Sequence, residues 1–138
     1  MSLGVGGSIV LRFTDNSLTT SGDTNYDLWV FEIGGAIEPT HVEISTNGST
    51  WISVGNAGGA TDGVDIDAYI GSGVILGQQY SYVRLTDYAA GSGWPFAGAD
   101  IDAVGAISSA PPVVPEPATA ALLGLGILGV TVRRFRRS

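Results

Sequence analysis

The stretch that decides the fold reads His41-Val-Glu-Ile-Ser45, Thr46-Asn-Gly-Ser49, Thr50-Trp-Ile-Ser-Val54. Apolar and polar residues alternate along both flanks, the period of two that belongs to half-buried strands. Asn47-Gly48 between them is the pair that reaches positive φ most readily, so the flanks are predicted to form an antiparallel hairpin.

The same period recurs on either side. Ser8-Ile-Val-Leu-Arg-Phe-Thr14 puts Ile9, Leu11 and Phe13 on one face and Val10, Arg12 and Thr14 on the other, then stops at Asp15-Asn16-Ser17. Asp27-Leu-Trp-Val-Phe-Glu-Ile33 is apolar on both faces, the pattern of a strand central to a sandwich. Val64 to Ile70, Gln79 to Thr86 and Ile101 to Ile107 read as further strands. Gly-rich turns separate them, and residues 55–63 and 89–98 form the longer loops. Short strands in this number, with no helical stripe before residue 118, predict an all-β domain: an antiparallel β-sandwich of jelly-roll type, with an open barrel as the alternative.

One tetrapeptide occurs twice, as Asp65-Ile-Asp-Ala68 and as Asp100-Ile-Asp-Ala103. In a strand, Asp at i and i+2 point to the same side, so each copy is expected to present two carboxylates together. For the first copy the expectation is a solvent-facing strand, since alternation of polar and apolar is what a half-buried strand requires. The second follows Ala97-Gly98-Ala99, where loop carbonyls could complete an oxygen shell for Ca²⁺.

Composition narrows the function. There is no Cys, which excludes thiol catalysis, disulfides and thiolate metal sites. Residues 1–110 hold twelve Asp and Glu against Arg12 and Arg84, a net charge of −10. Such a domain repels phosphate backbones, so no nucleic-acid partner is expected, whereas divalent cations are attracted. His41, the sole His, falls at an exposed position of a predicted strand and lacks the cleft that a Ser-His-Asp site needs. Carboxylates are plentiful, yet a domain this small seldom encloses the cleft of a glycosidase, and no enzyme activity is expected. Trp94 and Phe96 flank Pro95 on a Gly-rich loop and are candidate ligand-binding residues, suited to stacking on a sugar.

The last quarter is of another kind. Ser108 to Val114 is a linker stiffened by Pro111 and Pro112. Val114-Pro115-Glu116-Pro117 is then held extended by its two prolines and open to a protease. Residues 118–132 carry no charge, with Leu122, Leu123, Leu125, Ile127, Leu128 and Val130 as the main anchoring side chains. As a helix this run spans roughly 22 Å, short of a hydrocarbon core of about 30 Å, and its insertion is favourable by only a few kcal/mol. Arg133, Arg134, Arg136 and Arg137 follow and hold the end of the chain on the cytoplasmic side.

In order and composition, residues 114–138 resemble the PEP-CTERM sorting signal of Gram-negative bacteria. The resemblance implies a precursor anchored in the inner membrane through a single C-terminal hydrophobic helix. It also implies cleavage by an exosortase, a membrane-embedded cysteine protease, followed by release or attachment at the cell surface. Its members are linked to exopolysaccharide, biofilm or floc production. The alternative is an ordinary permanent anchor, which needs only an apolar run and a basic flank. The expected organisation is a β-sandwich over 1–108, a Pro-rich linker over 109–114 and the sorting signal over 114–138, with its motif at 115–117, helix at 118–132 and basic tail at 133–138. An exported protein is expected to carry a leader, and Met1 to Gly7 has neither a basic nor an apolar region of that kind, so further sequence is expected upstream.

The resemblance extends inward. Phe13 to Asn16, Asp27 to Glu32, Val42 to Ser45, Tyr82 to Asp87 and Gly98 to Val104 look like blocks of a β-sandwich module of exported bacterial surface proteins, and Tyr82-Val-Arg-Leu85 is similar to a strand of discoidin-like and carbohydrate-binding jelly rolls. Several such modules hold a structural Ca²⁺. Carried over to the matching blocks, the ligands are expected to be Asp15, Asp27, Glu32, Asp100 and Asp102. Within its apolar strand, Glu32 needs a partner, either a cation or Arg84.

Overall fold

A computed structural model describes residues 1–34, 38–88 and 98–113. They form antiparallel sheets with no α-helix. Among these residues no helix is long and apolar enough to cross a membrane, and the predicted helix at 118–132 lies outside them.

The first sheet has the order β1 (Ser8–Arg12), β7 (Tyr82–Asp87), β4 (Thr40–Ser45), β5 (Ile52–Ala57). The second places β3 (Leu28–Glu32) between β6 (Thr61–Val64) and β8 (Ile101–Ala106). Val42, Ile44, Val54, Val83 and Leu85 from one sheet and Leu28, Val30, Val64 and Ile101 from the other belong to one buried cluster. Two sheets thus share a core, as in a sandwich, because each alternating strand has only one apolar face to bury. Two-residue strands β2 (Ser17–Leu18) and β9 (Ser109–Ala110) pair at one side, and Leu18 exchanges backbone hydrogen bonds of 2.8 and 3.0 Å with Tyr80.

Several expectations change in detail. The hairpin forms, with Ile44 opposite Ile52. Its connection is a six-residue loop over residues 46–51 rather than a two-residue turn. Gly48 has φ 73° but Asn47 stays negative, so the primed turn, which needs both positive, is absent. The Asn47 carboxamide oxygen instead accepts from the Ser49 and Thr50 amides, and the Ser45 hydroxyl from those of Asn47 and Gly48. β3 is central as predicted, but its outward face carries half-buried Trp29 and exposed Phe31 rather than a second core. The presumed loop at 55–63 contains the end of β5 and the start of β6. Likewise Ser109–Ala110, assigned to the linker, is strand β9, and the Val113 amide donates to Ser17 Oγ at 3.3 Å.

The largest difference falls on residues 64–70. The strand stops at Val64, and a single 3-10 turn, Asp67–Tyr69, follows. The reason is local: Asp65 Oδ1 accepts the Asp67 amide at 2.9 Å, a side-chain bond that competes with the ladder and turns the chain. The first Asp-Ile-Asp copy is therefore not the solvent face of a strand.

Candidate functional site

The turn after β6 meets the loop before β3 at one end of the second sheet. Asp27 closes that junction. Its amide donates to the Val64 carbonyl at 3.0 Å, and its carbonyl accepts from Ile107 at 2.7 Å and Ser108 at 3.2 Å. The Asp27 side chain is 0% exposed. One carboxylate oxygen, Oδ2, accepts the Ile66 amide at 2.9 Å, while Oδ1 is buried without a hydrogen-bond partner.

Two more carboxylates converge on it, and one ligand oxygen from each of Asp27, Asp65 and Asp67 lies within 4.8 Å of the others. Asp67 is held from the facing loop: Oδ2 accepts from the Ser21 amide at 2.9 Å and hydroxyl at 3.1 Å, and Oδ1 from the Gly22 amide at 3.2 Å. A cleft of about 350 Å³, lined by Gly22, Asp23, Thr24, Asp65, Asp67 and Ala68, opens beside them. Oxygen-only donors of this kind suit a hard cation.

The five ligands expected from the resemblance do not assemble. Asp27 precedes β3 and Glu32 ends it, and five residue steps of extended chain separate them by roughly 17 Å, too far for one ion to touch both. Asp15 is exposed in the turn after β1, and Asp102 is exposed on β8. Asp100 lies near Glu32, and its carbonyl accepts from the Ile33 amide at 2.8 Å. Of the expected set only Asp27 belongs to the cluster, and it is joined by Asp65 and Asp67 from the tetrapeptide assigned to solvent. The clue in the sequence was the Asp-x-Asp spacing itself; which distant carboxylate it would meet is a tertiary matter.

Glu32 is 5% exposed and neither of its oxygens has a hydrogen-bond partner. Burial pushes its carboxyl above the ordinary value of 4.5, and the neighbouring Glu38 and Asp100 charges add to the rise. The amides of Asp100 and Glu38 approach and oppose the rise without reaching hydrogen-bond geometry.

Arg84, one of the two partners foreseen for Glu32, is engaged on the other sheet. It makes a bidentate pair with Glu43 at 2.5 and 2.6 Å and stacks over Trp51, 4.5 Å from the ring centre. Hydrogen bonding to Arg84 holds the Glu43 carboxyl below 4.5. His41 sits on the same sheet, with Nδ1 3.0 Å from Asn56 Oδ1 and Nε2 3.2 Å from Ser53 Oγ. Trp94, Phe96, Val114 to Pro117, the anchor residues and the four C-terminal arginines lie outside the described residues.

Comparison with known families finds the PEP-CTERM protein-sorting motif at residues 113–137. The motif supports an exported, membrane-anchored precursor that an exosortase processes. No curated protein and no solved structure matches the chain.

Proposed function

We propose that this chain is a non-enzymatic protein of the cell surface or extracellular matrix, a jelly-roll-type module that the inner membrane holds briefly and an exosortase sets free to act among exopolysaccharide in a biofilm. The observation that carries the reading is the order of parts. An acidic sandwich finishes its last strand at Ala110, and the sorting motif begins at residue 113. In the sequence Pro115 and Pro117 stand between that strand and the apolar run, residue types that disfavour helix and leave a segment accessible to a protease. The run at 118–132 is short for a permanent span, which suits an anchor that is later cut away. The acidic surface argues against nucleic acid, and Trp94 and Phe96 are the residues suited to stack on sugar.

The test is the mass of the mature protein recovered from producing cells. A C-terminus near residues 115–117 supports processing, whereas an intact C-terminus supports permanent anchoring. A polysaccharide array probed with wild type and Trp94→Ala then reads the ligand: binding lost in the variant supports sugar recognition, and a blank array supports a purely structural module.

A further inference from the structure

We infer that Asp27, Asp65 and Asp67 form a calcium site that ties the loop before β3 to the turn after β6. This goes beyond the sorting reading and stands apart from it, since it concerns the folded domain alone.

The buried oxygen of Asp27 carries the inference furthest. A fully buried carboxylate with one oxygen unpartnered is a costly omission unless something outside the chain fills it, and buried polar groups are otherwise almost always paired. The cluster geometry says what the partner would be. Calcium sits about 2.4 Å from its ligands, so any two oxygens on one ion lie no more than about 4.8 Å apart, the separation within which these three fall. The side chains are also braced for it. The Asp67 amide holds Asp65 Oδ1, Ser21 and Gly22 hold both oxygens of Asp67, and Ile66 holds Asp27 Oδ2. Asp65 Oδ1, Asp67 Oδ1 and Asp27 Oδ2 each accept one of these bonds and keep a further lone pair, and Asp27 Oδ1 is wholly free.

The donor set also selects the ion. No nitrogen or sulfur ligand belongs to the cluster, which disfavours zinc and copper. Magnesium is usually held through one or two carboxylates and keeps its waters, whereas three carboxylates with an adjoining solvent cleft suit the six to eight oxygens of calcium. An ion here would offset repulsion among three carboxylates in a domain of net charge −10. It would also clamp the residue whose backbone joins β6 to the chain following β8.

The test is thermal unfolding of the purified full-length chain in EDTA, in 10 mM CaCl₂ and in 10 mM MgCl₂, for wild type and Asp65→Asn. Asp65 is partly exposed, and Asn keeps the oxygen that caps the Asp67 amide, so the variant should fold. With a Kd on the order of 10⁻⁴ M, as in extracellular modules, calcium should raise the wild-type Tm by roughly 10 °C. Asp65→Asn should lose most of that rise and, in EDTA, melt at or above wild type because a repelling charge is gone. No calcium shift in wild type, an equal shift in Asp65→Asn, or an equal shift with magnesium would each overturn the assignment.

Discussion

Replacing Glu32 by Gln should stabilise the protein at neutral pH and leave it nearly unchanged near pH 4. The side chain is 5% exposed and both oxygens lack hydrogen bonds, so the ionised form is the one that burial penalises. With the folded-state value raised above 4.5, the folded protein binds this proton more tightly than the unfolded chain. The resulting stability is complete below about pH 4.5 and is lost as pH rises through the higher folded value. Glutamine has nearly the same shape and cannot ionise, so it escapes that loss. An unsatisfied buried group costs about 1–3 kcal/mol, and more when charged; since the amide is also unpaired, the net gain should be about 1 kcal/mol, or roughly 4–8 °C in Tm. Circular-dichroism melts of both proteins from about pH 4 to pH 8, in EDTA, measure it. A variant less stable than wild type at neutral pH would refute the reasoning, because the carboxylate would then be ionised and held by a partner.

Glu43→Gln should behave in the opposite sense. Its lowered carboxyl stabilises the fold above about pH 4.5 and ceases to as pH falls through the folded value, so the variant should lose about 1 kcal/mol at neutral pH and little near pH 3, read by denaturant melts at both. Gly63→Ala would place its Cβ 2.2 Å from Tyr26 Cδ2 and 2.7 Å from Tyr26 Cβ, displacing a ring packed edge-on against Trp29; a cost of about 1–3 kcal/mol and a changed near-UV spectrum are expected. Leu18→Ala, at a side chain with 0% exposure, should cost about 2–5 kcal/mol by urea unfolding, although it lies in a strand of only two residues.

The β2 and β9 strands show why some of the fold was not legible. Two-residue segments have no period to detect, and Ser109–Ala110 precedes two prolines, which reads as linker. Their pairing comes from Leu18 finding a place in the core beside Tyr80. Residues 64–70 misled for a different reason. Their alternation is a strand pattern, but Asp65 spends its carboxylate on the backbone two residues on, and that local bond competes with the ladder.

What the sequence by itself determined is whatever depends on neighbours along the chain. Alternation located the strands now seen as β1, β4, β5 and β7, Asn47-Gly48 located the hairpin, and the Pro-Glu-Pro, apolar and arginine run marked the sorting signal. Only the tertiary structure decided which carboxylates meet. Asp27 is 38 residues from Asp65, and no periodicity encodes that distance. It is set by β3 pairing with β6 so that Leu28 faces Val64, which brings Asp27 and Asp65, one residue beyond each, to the same end of the sheet. Arg84 was likewise drawn to Glu43 rather than Glu32 because register places it directly across the strand, while Glu32 lies in the other sheet.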